Sequence, residues 1–458
     1  MLIFEIGAIF LDPNEQHKGY GKLIMLSIEK LYPKVKRWKL ETLADSYGLH
    51  KFYESLGYVK VGERKDKKSR ITGLRYEKVT LNGGEKMNLN LEQYLNNGME
   101  RLIKDALRVT LKNPRQSAFF LQYTAAAQQA ARRRHEFGQA GEHIPPFLIA
   151  SITDNCNLHC SGCYAQANHT CNVSRELPVT IWERIFDEAE TLGVSVIILA
   201  GGEPFLRQDV LKAAAKRKDL LFPIFTNGTL LDDASLELVS SHRNLVPVVS
   251  IEGDERATDL RRGQGVYKQT AETMCRLRRL GLIFGASVTV TSDNLDAVSD
   301  GAYIDNLKEM GCKVVFYVEY VPVERPDLAL DDEDRRKLAA RINEARSRQK
   351  GMIIISFPGD EAESGGCLAA GRGFFHISAS GNAEPCPFSP YSDVNLWNTS
   401  LGEALKSPLF TSLREEGLLT AAHTGGCVLF DQKEIVSQLV NKSGKLEGEP
   451  GLAFMQDN

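Results

Sequence analysis

Three cysteines crowd into one short stretch, Thr153-Asp154-Asn155-Cys156-Asn157-Leu158-His159-Cys160-Ser161-Gly162-Cys163-Tyr164, with the spacing C-x3-C-x2-C. Three thiolates can hold three irons of a [4Fe–4S] cube and leave the fourth iron open to an outside ligand, whereas electron-transfer clusters commonly use four cysteines. The same offsets could mark one buried helix face, but Asp154, Asn155, Asn157 and Gly162 make the segment a poor helix. A zinc site completed by His159 or Cys171 is a further alternative, although the paired C-x2-C knuckles usual in such sites are missing.

The elements around this stretch place it at the end of a strand. Strand-like apolar runs fall at 147–153, 194–200, 221–226, 245–251, 283–291 and 313–321, and helical stretches at 181–192, 234–241, 268–280 and 332–348 separate most of them. Alternation of this kind predicts a parallel sheet covered by helices, here an open partial barrel, with ligands gathered at the carboxyl ends of the strands. Residues 88–140 read as helices and include the basic run Arg132-Arg133-Arg134. Residues 1–82 form a separate α/β pattern, with strands expected near 2–11, 38–43, 58–61 and 74–81 and helices near 19–31 and 48–56. The expected organisation is therefore 1–82 as a first module, 88–144 as a helical linker region, 145–325 as the barrel and 326–365 as a helix and strand completing its side. Residues 366–430 form a Gly-, Ser- and Pro-rich extension and 431–458 a C-terminal helix and tail.

The chain has 458 residues, 43% apolar and 25% charged, which excludes a disordered protein and allows more than one core. No apolar run approaches the ~18 residues of a membrane span, so no membrane partner is expected. The first ten residues contain Glu5 and lack a basic leader, so they read as a strand rather than a signal peptide. With nine cysteines and no export signal, metal or redox chemistry in the cytoplasm is expected rather than a disulfide framework. The net charge of −3 hides an asymmetry: residues 1–86 hold 17 Lys/Arg against 11 Asp/Glu. That balance would suit a polyphosphate ligand but is too weak to argue for nucleic acid.

Further landmarks follow the cysteine stretch in order. Gly201-Gly202-Glu203-Pro204 closes the second strand, Thr226-Asn227-Gly228 the third and Ser250-Ile251-Glu252-Gly253 the fourth, with Arg262-Gly263 beyond. Together with C-x3-C-x2-C after the first strand, this order resembles the radical S-adenosylmethionine (SAM) superfamily over about residues 147–323. The resemblance implies a partial (β/α)6 barrel in which Cys156, Cys160 and Cys163 bind a catalytic [4Fe–4S] cluster. It also implies SAM contacts at Gly201, Gly202, Glu203, Pro204, Thr226, Asn227, Ser250 and Arg262. The activity implied is reductive cleavage of SAM to a 5′-deoxyadenosyl radical, which abstracts hydrogen from a substrate, with an electron donor such as flavodoxin or ferredoxin. One departure is Gly162, where many members carry an aromatic residue near the adenine.

Two other stretches carry resemblances. Cys367, followed by Gly381-Asn382-Ala383-Glu384-Pro385-Cys386 and then Cys427, resembles the start of the SPASM/twitch extensions that hold auxiliary iron–sulfur clusters. A second cluster on Cys367, Cys386 and Cys427 is thereby implied, and residues 375–380 would supply one strand of a small hairpin. Buried thiols, or a zinc site with His423, are the alternatives. A peptide substrate follows only from the company such extensions keep. In the first module, Gln16-His17-Lys18-Gly19-Tyr20-Gly21 at a helix start, with Phe52-Tyr53-Glu54-Ser55-Leu56-Gly57-Tyr58 downstream, resembles the C-terminal half of a GNAT-type acetyltransferase. That implies acetyl-coenzyme A binding at Gln16, Gly19 and Gly21, with Tyr53 as general acid, in a module lacking the fold's first strands. The fold class expected overall is α/β, a partial radical SAM barrel between a truncated GNAT-like module and a small auxiliary-cluster extension. Competing functions are a GNAT-type acyltransferase with a regulatory iron–sulfur region, and a tRNA-modifying radical SAM/GNAT fusion, for which no broad basic stripe speaks.

Overall fold

The computed structural model describes residues 3–6, 25, 35, 37–44, 46, 49–50, 52–53, 56, 58–65, 72–79, 91–110, 113–167, 176–349, 351–420 and 426–443. The chain divides into two compact units, residues 1–89 and 90–458.

In the first unit β1 (Ile3–Ile6), β2 (Arg37–Leu43), β3 (Val59–Lys65) and β4 (Thr72–Val79) form a sheet in the order β1-β2-β4-β3. Strand alternation sets its core: Trp38 and Leu40 turn inward while Lys39 and Glu41 lie toward solvent, and Tyr58, Leu74 and Tyr76 complete the apolar side. Gln16, Gly19 and Gly21 lie outside the described residues, as does all of the expected 19–31 helix except Met25.

The second unit is built on a nine-stranded sheet. Its strands are β5 (Phe147–Ser151), β6 (Val196–Ala200), β7 (Phe222–Thr226), β8 (Leu245–Ser250), β9 (Gly285–Val290), β10 (Val314–Glu319), β11 (Ile353–Phe357), β12 (His376–Ile377) and β13 (Ala383–Glu384). The order is β11-β10-β9-β8-β7-β6-β5-β12-β13, and every neighbouring pair from β5 to β11 is parallel. All six strands read from the sequence are present, with β11 added at one edge. The expected hairpin is β12–β13, and it docks on the other edge, β12 running parallel to β5 through His376↔Ile149.

Helices between the strands begin and end on side-chain signals. Asp232, Asp254, Asp300 and Asp331 each accept backbone N–H groups at a helix start, and Gly193 and Gly311 end two helices at φ of 90° and 108°. Both faces of the central strands are buried, so β8 reads as the continuous apolar run Leu-Val-Pro-Val-Val.

The helices Leu91–Thr110 and Pro114–Gln139 pack beneath the sheet, at the amino ends of its strands. Phe120, Tyr123 and Ala127 bury against Val246 and Ile283, and the Tyr123 hydroxyl donates to the Ser195 carbonyl at 2.8 Å. The basic run belongs to the same contact: buried Arg134 donates to Gly193 O, Ser195 Oγ and Asn96 Oδ1, and Arg133 donates to Glu190 O at 2.7 Å. Two of these acceptors, the Glu190 and Gly193 carbonyls, lie at the end of the helix Val179–Leu192, whose dipole favours a cation there. With the amino ends closed off, the carboxyl ends of the strands are left to present chemistry.

Candidate active site

The cysteine loop begins where β5 ends, and a half-buried carboxylate organises its backbone. Glu176 Oε1 accepts from Thr153 Oγ1 (2.6 Å), Asp154 N (2.9 Å) and Asn155 Nδ2 (3.1 Å), while Arg207 holds Glu176 Oε2 at 3.1 Å. Arg207 also donates to Ile152 O and Leu177 O, so one guanidinium ties the loop to the chain after β6. The end of β6 then lies directly against the loop: Gly202 N donates to Thr153 O (2.7 Å) and Glu203 N to Asn155 O (2.8 Å). A Cβ on Gly201 would strike Thr153 O, and one on Gly202 would strike Asn155 O. The glycine pair is therefore required by close backbone approach.

Each of the three cysteines is half-buried. Cys156 Sγ receives Leu158 N at 3.5 Å and Asn227 Nδ2 at 3.9 Å, and Cys160 Sγ receives Arg262 Nη1 at 3.9 Å. Burial pushes the thiols of Cys156 and Cys160 up, and for Cys160 the neighbouring Arg262 and Arg261 act against it. Gly162 sits at φ 66°, and a Cβ there would come within 2.7 Å of the Tyr320 hydroxyl. The space that a side chain at 162 would fill is thus taken by the ring of Tyr320.

The strand ends bring the other predicted residues to the same place. Glu203 is fully buried, and its carboxylate accepts from Phe205 N (3.1 Å), Thr226 Oγ1 (2.7 Å) and Asn227 N (2.8 Å). Burial raises its pKa against these donors. Pro204 opens the short 3-10 turn that Glu203 caps, and Asn227 donates to both Asn157 Oδ1 and Cys156 Sγ. Glu203 is therefore an anchor that fixes Asn227 against the cysteine loop. Ser250 ends β8, paired with Ser287 of β9. Arg262, in the last turn of the helix Glu255–Arg262, is buried in a forked pair with Glu252, through Nε to Oε2 and Nη2 to Oε1 at 2.7 Å. Arg261 donates to the same carboxylate at 2.8 Å. Burial would raise Glu252, but Arg262 and Arg261 outweigh it and hold its carboxyl below the usual range.

Sequence reasoning gave no role to Glu252, Glu176, Arg207 or Tyr320. Glu252 alone had a signal, its place in a quoted strand end. Tyr53 lies in the first unit among Phe52, Tyr58 and Tyr76, with centroids 5.1–6.2 Å away, and burial raises its hydroxyl.

Cys367, Cys386 and Cys427, separated in sequence, converge in the structure. Cys386 and Cys427 lie against each other, and Cys367 lies within their electrostatic reach. Backbone amides neighbour every sulfur: Ala369 by Cys367, Phe388 by Cys386, and Leu429 and Phe430 by Cys427. Cys386 and these amides hold the Cys427 thiol below its ordinary value, whereas burial raises Cys367 and Cys386. Largely buried sulfurs with amide N–H groups beside them suit a thiolate-ligated cluster, whose charge such groups help to spread. Tyr164, next to Cys163, meets Phe388, two residues after Cys386, edge to face at 5.1 Å. Beneath them His376 bridges Ser151 Oγ (2.8 Å) and Glu384 Oε2 (2.7 Å) in a buried polar chain.

A radical SAM superfamily model matches residues 150–302, and an Acetyltransferase (GNAT) family model matches residues 3–58. A PqqA peptide cyclase of Granulibacter bethesdensis (strain ATCC BAA-1260 / CGDNIH1) is 30% identical over 260 residues, 53% of this chain and 68% of its own length. An AdoMet-dependent heme synthase of Methanosarcina barkeri (strain Fusaro / DSM 804) is 27% identical over 321 residues, 63% of this chain and 90% of its own length. Among solved structures, Streptococcus suis SuiB bound to precursor peptide SuiA superposes with a TM-score of 0.54 at 18% identity. That match covers 65% of this chain and 76% of SuiB, and it shows a shared fold.

Proposed function

The chain belongs to the radical SAM superfamily, and from that premise we propose that Cys156, Cys160 and Cys163 hold its catalytic [4Fe–4S] cluster, with SAM received by the surrounding strand ends. When bound, the cluster supplies the electron that cleaves SAM and yields a 5′-deoxyadenosyl radical for hydrogen abstraction. The observation that carries the assignment is the loop itself: three thiols at the carboxyl end of β5, two of them contacted by side-chain donors from β7's end and the helix after β8.

The chain's own residues position and shield. Gly201, Gly202, Glu203 and Pro204, with Thr226, Asn227 and Ser250, form the wall that receives SAM. Glu203 acts through Asn227, because its carboxylate is already enclosed by three donors. Arg262, held by Glu252, keeps a cation beside Cys160 and offsets thiolate charge. Cys367, Cys386 and Cys427 hold a second iron–sulfur cluster. An external one-electron donor of the flavodoxin or ferredoxin class would serve both, in the cytoplasm, where thiols stay reduced. No helix among the described residues is long and apolar enough to cross a membrane.

The substrate we propose is a peptide, the class named for the PqqA cyclase and for the precursor bound to SuiB. The longer alignment with the heme synthase favours a heme precursor as the second reading. The test is anaerobic reconstitution with iron and sulfide, followed by dithionite and SAM. About eight irons per chain and release of 5′-deoxyadenosine are expected. About four irons would remove the second cluster, and intact SAM would remove the activity. Stimulation of turnover by a precursor peptide rather than by an iron-free or iron-loaded tetrapyrrole decides between the substrates.

A further inference from the structure

The second cysteine site has a fourth member that no cysteine spacing could announce. Glu361 lies in the 3-10 turn Gly359–Ser364 directly after β11 and is 3% exposed. Its carboxylate lies beside the Leu368 N–H and the Cys367 thiol, and Oε1, fully enclosed, meets no hydrogen-bond partner. Buried carboxylate oxygens are ordinarily satisfied, so an orphan beside three converging thiols requires a reason. Arg372 braces the same turn without filling the need: it donates to the carbonyls of Cys367 and Ser364. Glu361, Cys367 and Cys427 lie within one another's electrostatic reach, and Cys427 lies against Cys386.

Resting on the reading that Cys367, Cys386 and Cys427 ligate an iron–sulfur cluster, we infer that Glu361 supplies the fourth ligand through Oε1, making a Cys3Glu site. A carboxylate oxygen is harder than a thiolate and a competent ligand for iron. Ligation would satisfy Oε1, while Cys367 releases its thiol proton to solvent on binding iron. It also separates the roles of the two sites: the first keeps an open iron for SAM, while the second is closed and passes electrons.

The full chain carrying Cys156→Ala, Cys160→Ala and Cys163→Ala isolates the second site after reconstitution with iron-57 and sulfide. About four irons per chain are expected. In that background Glu361→Ala should leave one iron labile: brief ferricyanide oxidation gives a several-fold larger [3Fe–4S] electron paramagnetic resonance signal than without it, and cyanide shifts the spectrum of the reduced cluster. Glu361→Cys should retain the iron, resist cyanide and show altered Mössbauer parameters at one iron in four. If the triple variant fails to fold, the same comparison is made on the otherwise native chain with SAM filling the first cluster. Identical oxidation and cyanide responses with and without Glu361→Ala would overturn Glu361 as ligand while leaving the cluster in place. A folded triple variant without iron would instead overturn the second cluster, and the ligand with it.

Discussion

The two cysteine sites of the second unit are built in opposite ways. Cys156, Cys160 and Cys163 sit in one loop of eight residues, and folding has only to aim that loop. Cys367, Cys386 and Cys427 come from three separate segments, brought together only once β11, the β12–β13 hairpin and the helix Val428–Asp431 have packed. The first loop is held by side chains from elsewhere in the unit, Glu176 accepting from it and Arg207, Asn227 and Arg262 donating to it. At the second site the sulfurs are neighboured by backbone N–H groups close in sequence to the cysteines. Local sequence encodes the ligands of the first site and the neighbouring amides of the second, whereas the remaining partners in each depend on tertiary structure.

The contrast is broken most severely by deleting a ligand from each site. Cys160→Ala should abolish 5′-deoxyadenosine formation, whereas Cys386→Ala should remove about half the iron yet leave SAM cleavage largely intact. Equal loss of nucleoside in both variants would refute the division between the sites. Next in size is Glu252→Gln, which leaves Arg261 and Arg262 without their shared carboxylate in a buried setting. Breaking a buried pair this way costs about 3–5 kcal/mol. Urea unfolding should show that loss, and the iron of the second site should persist wherever the chain stays folded. Gly202→Ala should cost about 1–3 kcal/mol, because a methyl there meets the Asn155 carbonyl and one strand end must move off the cysteine loop. Its effect should fall on iron loading of the first site alone, read as reduced iron content with the second cluster's spectrum unchanged.

What could be read from the sequence follows the same division. The six barrel strands and the first three cysteines were legible because apolar runs bounded by turns, and a fixed spacing, are local patterns. The hairpin before Cys386 was legible from Gly381, which sits at φ 91° in the turn. The remaining edge strand needed only its apolar run, and 326–365 was expected to supply it. Glu176 escaped because it lies 20 residues beyond Cys156 and acts through hydrogen bonds to backbone and side chains that only the fold brings near. Glu361 carried no signal, since an acidic residue in a Gly-Asp-Glu-Ala-Glu-Ser turn reads as solvated surface and burial alone sets it apart. Arg132-Arg133-Arg134 falls in an expected helix, but the burial of Arg134 against Ser195 is set by tertiary packing that the run itself does not encode.

The smallest expected effect falls on the junction between the sites. The Tyr164 ring packs against Phe388, and its hydroxyl comes within hydrogen-bonding reach of Ser151, the residue that passes on to His376 and Glu384. Tyr164→Phe keeps the ring and removes only the hydroxyl, so it should cost about 1 kcal/mol, the usual net worth of one hydrogen bond. Both sites should keep their iron, because the ring contact with Phe388 is unchanged and Cys156 and Cys160 retain their own donors. The measurement is thermal or urea unfolding beside iron content and the spectrum of each cluster. If iron is lost from the first site but stability is unchanged, the hydroxyl acts on Cys163 rather than as a strut. If iron is lost from the second, the Ser151–His376–Glu384 chain reaches Cys386 through the hairpin, and the two sites are coupled more tightly than their separate construction implies.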